Sequence, residues 1–177
     1  WVFAHNGDIP EFDRCRADLE AEISPRLRRF ILGDTDSERI FFLFLTKLER
    51  HGRLSNNFGV EAVSEVLRET VTKVREICDR DDVEKKALLT LMVTNGVTMA
   101  AIQGGKDLYW TTYKTRCADR ELCPHYAPSC EAPTETGFVN HLIMSSEPVS
   151  DDNIWHVFEN NEVVGVDWRM RLKRGVA

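Results

Sequence analysis

The spacing of apolar residues switches once along this chain, from a helical period to a period of two, and the switch restricts the fold more than any single motif. Val60, Val63, Leu67, Val71, Val74 and Ile77 recur at helical intervals, so a helix beginning after Gly59 has one apolar face throughout. Beyond Asp82 the pattern shortens. Residues 87–94 read as a strand, Asn95-Gly96 as a tight hairpin turn, and residues 97–103 as the returning strand. Gly104-Gly105 turns the chain into a further strand over residues 108–113. Residues 138–144 resume strand character. Val164, Val166, Trp168, Met170 and Leu172 then alternate with Gly165, Asp167, Arg169, Arg171 and Lys173, which predicts a half-buried strand or a bent hairpin. Helices followed by antiparallel strands predict an α+β fold, with helices layered on sheet.

The first half supplies the helices. Residues 1–4 are apolar and lead as a strand into Asn6-Gly7. That pair would suit a hairpin turn, but the sequence after it enters a helix at Pro10, so no hairpin is expected. Phe12, Cys15, Leu19 and Ile23 are spaced to give that helix a buried face. Thr35-x-x-Glu38 fits a capping box that starts a second helix at Asp36 and carries it to about Arg50.

Bulk properties exclude several classes of function. A chain of 177 residues, 42% hydrophobic and 29% charged, is expected to form a single globular domain with a full core. The formal charge of −6 argues against nucleic acid or an anionic membrane as partner. The longest apolar run, residues 40–45, is far too short to span a bilayer. Five cysteines, an odd number, do not read as a secreted disulfide framework, so a cytoplasmic setting is expected.

Two short motifs carry chemistry. Amide hydrolysis puts negative charge on the former carbonyl oxygen, and removing one aimed donor costs on the order of 3 kcal/mol in transition-state stabilisation. Asn6 offers a side-chain N–H2 group; Gly7 offers a backbone N–H with no side chain to obstruct approach. Asp36 falls at the first helical position after Thr35. The helix dipole alone favours a carboxylate there, and the same carboxylate suits a substrate ammonium.

Residues 3–9 (Phe-Ala-His-Asn-Gly-Asp-Ile) and 33–38 (Gly-Asp-Thr-Asp-Ser-Glu) resemble the glutamine-site motifs of class-II glutamine amidotransferases, members of the Ntn-hydrolase superfamily. Residues 139–148, Trp155 and the closing strand resemble the C-terminal sheet of the stand-alone type. The resemblance implies a four-layer αββα sandwich. It implies cleavage of glutamine or another γ-glutamyl amide through a γ-glutamyl thioester, with no cofactor. Asn6 and Gly7 would form the oxyanion hole, while Asp36, with His5 beside it, would bind the substrate. A separate synthase or other ammonia acceptor would be the protein partner. The family's nucleophile is an N-terminal cysteine, and its carboxylate-binding arginine lies upstream of the His-Asn-Gly motif. This sequence starts at Trp1, within a strand, so it is expected to be the C-terminal part of a longer product, with the N-terminal portion of the fold missing. The alternative reading is a non-catalytic interaction or ligand-sensing module that keeps the fold.

The remaining reactive residues have simpler expected roles. Cys15 and Cys78 fall on apolar helix faces as small core residues. Cys117, Cys123, His125 and Cys130 lie in a polar loop insertion, residues 116–136, with residue types that suit zinc but not a standard spacing. That segment is expected to be a surface loop without metal, with those four as the candidate ligands. His141 is expected to be a satisfied structural group, and Trp110, Trp155 and Trp168 to pack in the sheet core.

Overall fold

Burial alternates along the first strand, β1 (Val2–Asp8), and so defines two sides of the molecule: Phe3, His5 and Gly7 are partly buried, whereas Val2, Ala4, Asn6 and Asp8 are exposed. The computed structural model describes residues 1–80, 84–134 and 137–175. Asp82, where the apolar period changes, and the last two positions of the 116–136 segment lie outside the described residues.

The single helix expected after Pro10 is instead three short pieces. A 3-10 turn (Phe12–Arg14) is followed by α1 (Arg16–Ala21) and α2 (Pro25–Arg28). Ser24 has ψ 139, the extended backbone that a following proline imposes, and this separates α1 from α2. Cys15, Leu19 and Ile23 are nevertheless buried as their spacing predicts.

The next two helices match their sequence signals. α3 (Asp36–Leu48) is capped by Thr35, whose Oγ1 accepts from the Glu38 N–H at 3.3 Å. The reciprocal half of the capping box is replaced: the Glu38 carboxylate accepts from Leu32 N (2.9 Å) and Gly33 N (2.8 Å), folding the preceding loop onto the helix. A 3-10 turn (Glu49–His51) prolongs α3, and α4 (Val60–Cys78) follows Gly59. Ile40, Leu43, Phe44 and Leu48 of α3 share one core with Val63, Leu67, Val71 and Val74 of α4. Each such side chain contributes roughly 1.5–3 kcal/mol by leaving water.

The strands form two antiparallel sheets. β2 (Leu88–Thr94) and β3 (Met99–Ile102) make the expected hairpin. Its turn is fixed by Asn95 Oδ1, which accepts from Val97 N (3.0 Å) and Thr98 N (2.8 Å), and by Gly96 at φ 82. Then come β4 (Tyr109–Thr111), β5 (Gly137–Phe138), β6 (Ile143–Ser145), β7 (His156–Val157), β8 (Val163–Val166) and β9 (Arg171–Gly175). The large sheet runs β1-β2-β3-β8-β9-β5 and the small one β6-β4-β7. Residues 138–144 therefore do not make one strand; the segment passes from one sheet to the other. The alternation over residues 164–172 resolves as the bent hairpin β8–β9. Asp167 Oδ1 accepts from Arg169 N (2.9 Å) and Arg171 N (3.2 Å) at its tip, and Met170 takes φ 55. That tip carries Trp168 out of the core, to 66% exposure, contrary to the expectation for this residue; Trp110 is fully buried.

Three layers result. Helices pack on the large sheet through Leu89, Leu91, Val93, Ala100 and Ile102. The opposite face of that sheet presents Ala101, Val164, Val166 and Leu172 to Leu108 and Trp110 of the small sheet. β1 lies at the edge of the large sheet. Cys15 and Cys78, read from sequence as separate core thiols, are joined in a disulfide with Cα atoms 5.3 Å apart, because the start of α1 and the end of α4 meet. Among the described residues no helix is long and apolar enough to cross a membrane.

Candidate functional site

The residues singled out by the two motifs cluster where β1 meets the start of α3. Gly7 pairs with Leu89 across β1 and β2, and a methyl placed on it would lie 1.8 Å from the Leu88 carbonyl oxygen and 2.9 Å from His5 Nε2. No L side chain fits there, so this close approach of two strands demands glycine. The His5 ring occupies the adjoining space. Its Nε2 is 2.9 Å from Leu88 O, and its Nδ1 is 2.9 Å from Ser37 Oγ. His5 thus braces β1 against both β2 and α3.

Asp36 closes the arrangement. Its Oδ2 accepts from the main-chain N–H of Ile9 at 2.8 Å, immediately after β1, and its Oδ1 accepts from Ser37 N at 2.6 Å. Ser37 Oγ lies 3.2 Å from the same Oδ1. The loop ahead of α3 is held by Arg39, whose buried guanidinium donates to Glu20 Oε1 (2.9 Å), to Gly33 O and to Thr35 O (3.3 Å). The two motifs, far apart in sequence, are therefore one hydrogen-bonded unit.

Asn6 lies on the other face of β1. Its side chain is exposed at a cleft of about 190 Å³ that also meets Ala4, Thr90, Met92, Leu108, Met144 and Ser145, between the edge of the large sheet and β6 of the small one. The structure thus gathers the His5 ring, Gly7 and Asp36 about the start of α3 and sets Asn6 at the cleft, which His5 also borders. Asp36 does not line that cleft, and the carboxamide is not enclosed. Sequence reasoning missed Ser37 and Arg39. The signal for Ser37 was available: His5 alternates with Asn6, so it had to face the helix layer and find a polar partner there.

Hydrogen bonds to one carboxylate organise the cysteine loop. Among the described residues no three His, Cys, Asp or Glu side chains converge to hold an ion, so Cys117, Cys123, His125 and Cys130 are not brought together as ligands. Glu131 takes the central place, accepting from Cys117 N (2.7 Å) and from the Tyr126 hydroxyl (3.1 Å). The Cys117 N–H holds the Glu131 carboxyl below its ordinary range, while burial first, then Glu131, raises the Tyr126 phenol. Asn140 Nδ2 donates to Cys130 Sγ at 3.1 Å. His141 is not the satisfied group expected: among the described residues its buried Nε2 has no hydrogen-bond partner, and burial lowers the ring's pKa.

The Asn6-Gly7 pair and the Asp36 carboxylate at the start of α3 are thus joined through one edge strand. The comparisons with known proteins supply the class. The family model for class-II glutamine amidotransferases matches residues 1–167, and the chain belongs to that family. It is 31% identical over 105 residues to the probable glutamine amidotransferase DUG3 of Saccharomyces cerevisiae, a match covering 55% of this chain and 29% of that protein. Its fold is similar to that of a glutamine aminotransferase class-II domain protein from Silicibacter pomeroyi (TM-score 0.62, 15% identity, 98% of this chain and 66% of that one). It is also similar to a predicted glutamine amidotransferase from Pseudomonas aeruginosa (TM-score 0.58, 20% identity, 97% of this chain and 59% of that one). The chain spans less than a third of its yeast relative and about two thirds or less of the two solved chains.

Proposed function

We propose that this domain binds glutamine or another γ-glutamyl amide and cleaves it through a γ-glutamyl thioester. In this reading Asn6 and the Gly7 N–H stabilise the oxyanion, and Asp36 receives the substrate ammonium. The observation that carries the proposal is the hydrogen bond from Ile9 N to Asp36 Oδ2, which fixes the carboxylate two residues past the Asn6-Gly7 pair. β1 is an edge strand, so a substrate lying along it can meet the carboxamide from one face and the carboxylate from the other. The nucleophile is a cysteine outside these residues. Cys15 and Cys78 are paired, and Cys117, Cys123 and Cys130 do not line the cleft.

The same proposal takes residues 1–177 as one domain with the segment 116–136 as a surface insertion, completed as a four-layer αββα sandwich. A separate synthase or other acceptor takes the ammonia. No cofactor takes part, since acyl transfer to a thiol needs only a nucleophile, a base and oxyanion donors. A cytoplasmic setting belongs to it as well.

The test is ammonia release from glutamine and γ-glutamyl amides by the full-length gene product. Asn6→Ala should lower kcat about 100-fold with little change in KM. An Asn6→Ala protein with unaltered turnover would remove the oxyanion assignment.

A further inference from the structure

The hydrogen bonds around Asp36 leave one proton to be placed, and its position decides what the carboxylate can still accept. Leu88 O is a carbonyl oxygen and can only accept, so the 2.9 Å contact from His5 Nε2 requires a proton on Nε2. In the neutral ring Nδ1 is then an acceptor, and the Ser37 hydroxyl, 2.9 Å away, is the group that donates to it. A hydroxyl has one proton. Two acceptors stand within its reach, Asp36 Oδ1 at 3.2 Å and His5 Nδ1 at 2.9 Å; given to the nearer, it is withheld from Asp36. Asp36 is left with one main-chain donor on each oxygen, Ser37 N and Ile9 N, and with lone pairs to spare.

We propose that Ser37 and His5 are positioning residues for substrate binding: Leu88 O fixes the His5 tautomer, His5 draws the Ser37 hydroxyl proton to itself, and Asp36 is thereby kept open to an ammonium donor. Neither residue touches the reacting atoms. The inference rests on the reading of Asp36 as the ammonium anchor, and it goes further by assigning why a serine follows that aspartate and why a histidine precedes the Asn6-Gly7 pair. Were the hydroxyl turned to Asp36, it would occupy a lone pair and compete with the substrate for the same oxygen. Removal of the imidazole would leave Asp36 Oδ1, at 3.2 Å, as the acceptor for that hydroxyl.

Two measurements on the full-length protein test this. Nitrogen-15 NMR of the imidazoles should find His5 in the Nε2–H form in the native protein and in Ser37→Ala alike, because Leu88 O holds that proton in both. Steady-state kinetics with glutamine should give His5→Phe a KM raised about tenfold, with kcat less affected, because the released Ser37 hydroxyl then occupies the Asp36 oxygen that the substrate needs. Adding Ser37→Ala to that variant removes the competing hydroxyl and should bring the KM back down. A ring protonated at Nδ1 in the native protein overturns the proposal, as does an unchanged KM in His5→Phe or a double variant whose KM stays high. If Asn6→Ala leaves turnover intact, it is the amidotransferase reading that falls, and the tautomer measurement still decides the arrangement of His5 and Ser37.

Discussion

The main-chain N–H of Ile9 donates to the carboxylate of Asp36 at 2.8 Å, joining the residue that follows β1 to the first residue of α3. The bond is local in space and remote in sequence. It converts two motifs into a single element whose geometry is set by the packing of α3 on the large sheet.

Asp36→Ala should therefore act on stability as well as on binding. It leaves the Ile9 and Ser37 N–H groups without their acceptor. Leaving partly buried donors unsatisfied costs about 1–3 kcal/mol each, and urea midpoints should fall by the corresponding amount. Asp36→Asn keeps one acceptor oxygen and loses the charge. It should unfold closer to native while its KM for glutamine rises at least as far as that of the alanine variant. A single charge-independent loss of stability in both variants, with KM unmoved, would show that Asp36 is only a clamp.

Gly7→Ala should be more damaging to the fold than any surface change on β1. Its methyl would sit 1.8 Å from the Leu88 carbonyl oxygen, a backbone atom held by the β1–β2 ladder. Relief requires β1 to move away from β2. We expect a loss of about 2 kcal/mol or more, together with faster hydrogen exchange in both strands. Ala4→Gly, three residues earlier on the exposed face, should cost only about 1 kcal/mol, the ordinary penalty of glycine in a strand.

Much of this architecture was legible because its determinants are local. The α4 stripe, the Thr35 cap and the Asn95-Gly96 turn each depend on residues within a few positions of one another. What was not legible depends on distant partners. Residues 138–144 have strand composition, but Phe138 pairs with Arg171 in the large sheet and Ile143 with Thr111 in the small one, a division that no local pattern encodes. Cys15 and Cys78 look like core residues because they are buried; only the meeting of α1 with the end of α4 makes them a pair. At the candidate site, the sequence singled out His5, Asn6, Gly7 and Asp36, whereas Ser37 meets His5 only through the packing of α3 on β1.

The disulfide makes a direct chemical prediction. Under non-reducing denaturation the three thiols of Cys117, Cys123 and Cys130 should react with a thiol reagent, and two more should appear after reduction. Replacing both Cys15 and Cys78 by serine should cost about 3 kcal/mol in oxidised protein, since the bond closes a long loop of chain. Five reactive thiols before reduction would show that the pair is open in the purified protein.

Glu131 should govern the reactivity of the loop thiols. It accepts from Cys117 N and Tyr126 OH, and Arg120 lies 3.7 Å from its carboxylate. Glu131→Ala removes all three ties, so the segment around the buried Cys117 and Cys130 should open more often. Labelling of the native protein at those two positions should speed up about tenfold or more, with Cys123 less affected because it is already partly exposed. Equal labelling rates in the two proteins would mean that the backbone bonds of the loop hold it unaided.

His141 predicts the direction of the pH dependence. Burial, reinforced by the positive charge of Lys114, lowers its pKa below the ordinary 6.5, and its Nε2 has no hydrogen-bond partner among the described residues. The folded state therefore resists protonation that the unfolded chain accepts readily. At pH values above about 6.5 both states carry a neutral ring, and the native preference is fully expressed. As pH falls through and below that value the unfolded state binds the proton first, and stability declines until the folded ring also titrates. The other histidines and the carboxylates add their own slopes, so the test is a difference. His141→Phe, which keeps a ring of similar size and cannot be protonated, should show a flatter fall in urea midpoint between pH 7.5 and about 5 than the native protein does. Parallel curves for the two proteins would show that His141 takes up its proton as easily folded as unfolded, and that the buried Nε2 is reached by solvent.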